Sequence, residues 1–157
     1  MDELQRAIRR CATPPGTCVL HHVSRTSRAV ASVYDAAFRP AALTGQQFNV
    51  LMSLAHGDGL NVKALARLVG MDPSTIPRVL GPLVTQRLVR TAVGGDRRQR
   101  ILTVTAAGRR RLARAVPLWD AVQRQVVEAM GTDVWPALVA DLRRIRHALA
   151  STEGRKR

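Results

Sequence analysis

Apolar residues recur at helical spacing along most of this chain, and the places where the spacing breaks mark its architecture. From Cys18 to Phe38 the residues Val19, Val23, Val30, Val33, Tyr34 and Ala37 fall near one helical stripe, with Arg25 and Arg28 on other faces. Ala12 to Thr17, containing Pro14-Pro15-Gly16, is a breaker cluster before this helix, and Pro40 ends it. Thr44 followed by Gln47 is a capping box, and Phe48, Leu51, Met52 and Ala55 continue behind it as a second helix stopped by Gly57-Asp58-Gly59. Asn61 can cap a short third helix with Leu65, Leu68 and Val69 as its inner face, and Gly70 follows where a left-handed residue is wanted.

After a tight turn, Asp72-Pro73 pairs a capping side chain with proline at a first helical position, predicting a helix to about Arg87. Two short helices across a glycine-containing turn describe a helix-turn-helix. The period then changes. Leu88 to Val93 reads as a strand, Gly94-Gly95-Asp96 as a hairpin turn, and Ile101 to Thr105 as the returning strand, which together form a wing. Helical spacing resumes behind Thr105 with Leu112, Val116, Trp119, Val122, Val126 and Met130, and Pro117 should kink this helix. Asp133 can cap a last helix striped by Val134, Leu138, Leu142, Ile145 and Leu149.

The expected fold is therefore mainly α with a small β-hairpin wing (α+β). A winged helix-turn-helix head at 44–105 lies between an N-terminal segment and dimerisation helix at 1–43 and C-terminal dimerisation helices with a basic tail at 106–157. Dimerisation enters because three striped helices within one chain make a thin core, whereas two interleaved chains bury the stripes. A two-fold dimer would also present two recognition helices about one DNA turn (~34 Å) apart.

Composition narrows the function. Lys and Arg total 25 against 11 Asp and Glu, a formal net charge of +14, and the lysines are Lys63 and Lys156 alone. Such a surplus calls for an anionic partner. Aromatics are only 3%, which argues against stacking platforms for RNA or single strands and leaves double-stranded DNA. No run reaches the ~18–20 apolar residues of a membrane span, and Met1-Asp2-Glu3-Leu4-Gln5-Arg6 lacks a secretory pattern, so the expected compartment is cytoplasmic and no membrane partner is expected. No nucleophile elbow, phosphate loop, HExxH or metal-ligand spacing occurs, so neither an enzyme nor a cofactor or metal is expected.

On the predicted head, Ser74 and Thr75 stand where a helix would enter the major groove, with Arg78 one turn on. Arg97 and Arg100 on the wing, and Lys63 and Arg67 on the preceding helix, are candidate phosphate contacts. Pro77 and Pro82 interrupt the predicted recognition helix; a mid-helix proline typically costs ~3 kcal/mol unless the helix kinks or begins late. The helix must bend or have an irregular first turn.

Several segments, in order and spacing, resemble the MarR family (multiple antibiotic resistance regulators). They are Arg28…Tyr34-Asp35, Leu43-Thr44-Gly45-Gln46-Gln47-Phe48, Leu65-Ala66-Arg67-Leu68-Val69-Gly70-Met71-Asp72 and Ser74-Thr75…Arg78…Leu83. Gly94-Gly95-Asp96-Arg97-Arg98, Val104-Thr105-Ala106-Ala107-Gly108 and Pro117-Leu118-Trp119 continue the likeness, which spans roughly Cys18 to Leu149. The resemblance implies an obligate homodimer and a sequence-specific transcriptional regulator, usually a repressor on a pseudo-palindromic operator. It also implies release by a small phenolic or other effector, or by oxidation of a cysteine. Asp96-x-Arg98 is similar to the family's wing motif, in which the acid orients an arginine into the minor groove.

Cys18, at the start of the first long helix, is the candidate redox residue, and Tyr34 is the only tyrosine that could support it. His21 and His22 are candidate liners of a ligand cleft. The readings that compete with a ligand-released repressor are a redox-sensing repressor acting through Cys18, an architectural DNA-coating protein without a ligand, and a winged-helix module that binds protein.

Overall fold

The structure, a computed structural model, describes residues 2–12, 18–57, 59–94 and 99–154. The breaker at Pro14-Pro15-Gly16, Asp58 of the second turn and the wing-tip residues 95–98 lie outside them. The elements in order are α1 (Glu3–Ala12), α2 (Val19–Phe38), α3 (Gly45–His56), β1 (Leu60–Asn61), α4 (Val62–Val69), α5 (Ile76–Thr85), β2 (Val89–Val93), β3 (Arg100–Val104), α6 (Ala106–Met130) and α7 (Val134–Gly154). They fall into two compact units, Met1–Leu118 and Trp119–Arg157, so the boundary within α6 comes just after Pro117.

The first unit is built as its local chemistry dictates. Pro40 sits in a 3₁₀ turn, Arg39–Ala41, that ends α2. Thr44 Oγ1 accepts from Gln47 N (3.2 Å) while Gln47 Oε1 accepts from Thr44 N (3.0 Å), which is the capping box at the start of α3. Asn61 Oδ1 accepts from Ala64 N (2.8 Å) to cap α4, and Gly70 closes it at φ 68°, a conformation that glycine adopts without a Cβ clash. Asp35 Oδ1 accepts from Gly45 N (2.7 Å) and ties the end of α2 to the start of α3.

The core of this unit gathers Phe38, Leu43, Phe48, Leu51, Leu54, Leu65, Ile76, Leu83, Leu88, Val89, Leu102 and Leu112. Phe38 and Phe48 stack with ring centroids 4.5 Å apart. Leu68 departs from the expected inner face: it is 60% exposed, and Ala66 is buried instead. A helix of eight residues buries only a narrow stripe, here Leu65 and Ala66, so the leucine two positions further round stays outside.

Three antiparallel strands form the wing sheet in the order β1-β3-β2. Leu60 opposes Leu102, and Val89 opposes Val104, so these residues share the core face. Arg90 opposes Thr103 on the other face, where Arg90 Nε donates to Thr103 Oγ1 (2.8 Å). Strand β1 and helix α1 add to the expected set of elements. Thr105 joins wing to α6: its Oγ1 donates to Arg87 O (2.7 Å) and accepts from Gly108 N (3.0 Å). Arg111 Nη1 donates to Ala41 O (3.1 Å), and Gln86 Oε1 lies 3.4 Å from the same nitrogen.

The second unit comprises the remainder of α6 and α7. Gly131 turns the chain at φ 93°, with Val134 N donating to Gly131 O (3.1 Å). Apolar stripes on the long helices are largely uncovered: Val19 (70%), Leu20 (74%) and Val23 on α2, and Leu142, Ile145 and Leu149 (63%) on α7, are all exposed. No helix among the described residues is long and apolar enough to cross a membrane.

Candidate nucleic-acid interface

Pro77 decides where α5 begins. A helix starting at Pro73 would require an N–H on residue 77 to bond to the Pro73 carbonyl, and proline has none. Residues 73–75 instead form a turn, and α5 starts at Ile76, with Pro77 in the first turn where no amide donor is needed. The expected start at Pro73 is thus replaced by an irregular lead-in. Pro82 remains inside the helix.

Asp72 organises that lead-in. Its Oδ1 accepts from both Ser74 N (2.8 Å) and Ser74 Oγ (2.5 Å), and its carbonyl accepts from Thr75 N (2.9 Å). The Ser74 hydroxyl, and then the Ser74 amide, hold the Asp72 carboxyl below its ordinary range. Ser74 is exposed, Thr75 is half-buried at the cap position without a capping side-chain bond, and Arg78 is exposed one turn into the helix. Ile76, Val79, Leu80 and Leu83 anchor the opposite side in the core.

Lys63 and Arg67 are exposed on α4, one helical turn apart and so on one face. On the wing, Gly94 N donates to Gln99 O (2.8 Å) and closes the stem below the tip. Arg100 is exposed at the first position of β3, the end nearest residues 95–98, opposite Val93. Asp96, Arg97 and Arg98 lie outside the described residues. Two wing residues were absent from the expected set. Gln99 Oε1 accepts from Asn61 Nδ2 (3.2 Å), linking stem and helix-turn-helix, and Arg90 lies exposed on the outer face. Period-two alternation along β2 puts Arg90 on the face away from Val89, so its outward position was readable; nothing local announces the Asn61–Gln99 contact. The charge is uneven too, with ten arginines and one acid, Asp96, between Pro73 and Trp119.

A model of the MarR family matches residues 43–99, the helix-turn-helix and the wing. Of the solved structures, the M. tuberculosis transcriptional regulator MosR in complex with DNA is 32% identical, covering 85% of this chain and 97% of that one, with a TM-score of 0.78. The chain belongs to the MarR family. A second MosR crystal structure is 33% identical over 86% of this chain and 97% of its own, with a TM-score of 0.74. The transcriptional repressor CouR of Rhodococcus jostii, bound to a 23-mer DNA duplex, is 28% identical over 82% and 92%, with a TM-score of 0.73. None of the curated proteins matches. As a MarR-family member the chain is a DNA-binding transcriptional regulator and not an enzyme.

In this MarR-family chain the candidate regulatory residues do not converge. Cys18 is exposed at the N-cap of α2, and His21 and His22 follow within about one turn, their exposed rings 5.6 Å apart and nearly perpendicular. Tyr34 lies sixteen residues along the same helix from Cys18, about 24 Å away at helical rise. It is half-buried against the core, 6.3 Å from the Phe38 ring, and burial raises its phenol above the ordinary value.

Proposed function

We propose that this MarR-family regulator is a homodimeric repressor that reads a pseudo-palindromic operator and leaves it when a small molecule binds. The observation that carries the reading is the exposed lead-in and first turn of α5, with Ser74 on the lead-in and Arg78 on the helix, in a stretch of chain rich in arginine. Double-stranded DNA is the partner. Ser74, Thr75 and Arg78 serve the major groove, Arg98 oriented by Asp96 serves the minor groove, and Lys63, Arg97 and Arg100 serve phosphates.

Dimerisation is supported by the uncovered stripes on α2 and α7, since apolar faces of that length ordinarily bury against a partner. The division of labour follows the chain: 1–43 and 106–157 pair the protomers, and 44–105 reads DNA. Repression is supported by the likeness to CouR, a transcriptional repressor. Release by a small, phenolic-type effector follows from the family resemblance, with His21 and His22 as candidate contacts. The place of action is the cytoplasm, with the DNA.

The test is selection of bound duplexes from a random pool by the full chain. Recovery of an inverted repeat with half-sites about one turn (~34 Å) apart is expected. Recovery of no motif, with binding that falls steeply in salt, would replace the operator reading by an architectural one.

A further inference from the structure

The outward face of α5 is chemically sparse. With Ile76, Val79, Leu80 and Leu83 turned into the core, Ser74, Pro77, Arg78, Gly81 and Pro82 are left exposed at steps of one turn. The Ser74 hydroxyl already donates to Asp72 Oδ1. The prolines carry no donor and Gly81 no side chain. The Arg78 guanidinium makes no hydrogen bond or ion pair with another described residue, and the Thr75 hydroxyl is half-buried at the cap, so Arg78 carries the one fully exposed and unspent side-chain donor on this face.

In the major groove an arginine fork matches guanine O6 and N7. Adenine calls for Asn or Gln and cytosine for an acidic acceptor, and this face offers neither. Resting on the DNA reading above, we infer that direct hydrogen-bond recognition by α5 is confined to one guanine per half-site, held by Arg78, with the Pro77 ring set against a neighbouring thymine methyl. Other positions are then discriminated through duplex shape rather than base contacts. The chain is thereby a reader of few base pairs per half-site, specified by one arginine and one proline.

The full chain is titrated at fixed salt onto its selected duplex and onto a panel with each base pair changed singly, alongside R78K and R78A. Wild type should lose about 10–100-fold in affinity when that one G·C pair is replaced. R78A removes the donor, so it should bind the guanine duplex and its replacement alike, whereas R78K keeps the charge and an ammonium donor but not the fork and should show a weakened preference at the wild-type salt dependence. Exchange of the neighbouring thymine for uracil should weaken wild type about 4-fold through loss of one methyl. Preserved guanine preference in R78A, or comparable losses at several non-guanine positions in wild type, overturns the assignment to Arg78. No change with uracil overturns the role of Pro77. These results differ from failure to select any motif, which removes the operator reading itself and this inference with it.

Discussion

At Gly108 a Cβ would stand 2.2 Å from the Leu88 carbonyl oxygen and 2.7 Å from Val104 Cγ1. Backbone cannot retreat as a flexible side chain can, and the Thr105 hydroxyl pins the same junction through Arg87 O. Gly108→Ala is therefore expected to destabilise the chain by about 2–3 kcal/mol, read as a lower midpoint in thermal or urea unfolding. Unfolding at the wild-type midpoint would mean that α6 can shift away from Leu88. Tyr34 offers a second test at this scale because it is the only tyrosine. Burial disfavours its phenolate, so ultraviolet absorbance should report ionisation above the ordinary 10.0. Since the folded value is raised, this contribution to stability is complete below about pH 10 and is lost as pH climbs through the folded midpoint. A midpoint at or below 10 in the native chain would contradict the burial.

Among the elements, α5 carries two prolines with opposite consequences. Pro77 lies in the first turn, where its missing amide has no intrahelical role, whereas Pro82 deprives the Arg78 carbonyl of a partner. Pro82→Ala should raise stability by about 1–3 kcal/mol, and Pro77→Ala should change it by less than about 0.5 kcal/mol. Equal effects of the two would argue that α5 starts elsewhere. The caps at Thr44, Asn61 and Gly70 and both long strands were legible in the chain, because each depends on residues within a few positions. The late start of α5 was legible only as a conflict between Asp72-Pro73 and Pro77. Strand β1 was invisible, since Leu60–Asn61 is too short for any period and exists through pairing with β3. Leu68 was misread because helical spacing alone does not tell how wide a stripe a short helix buries. Of the candidate interface, the exposed placement of Ser74, Arg78, Lys63 and Arg100 followed from residue types and spacing, but the capture of Ser74 by Asp72 needed three dimensions.

For the whole molecule, the exposed stripes on α2 and α7 set the expected behaviour in solution. Leu142→Glu combined with Ile145→Glu should convert a dimer into a monomer in sedimentation measurements at micromolar concentration, and operator affinity should fall with it. Dimeric sedimentation of that double variant would move the interface elsewhere. The turn before α5 bears on how such an assembly would meet the duplex. The amides of Ser74, Thr75 and Arg78 already have partners within the protein, and Pro77 has no amide. Few amide donors at this tip are therefore left to hold water, and few such bonds to water must be broken when the groove closes over it. Seating the helix should then proceed with a small dehydration penalty in each half-site, and osmotic stress should alter the affinity only weakly.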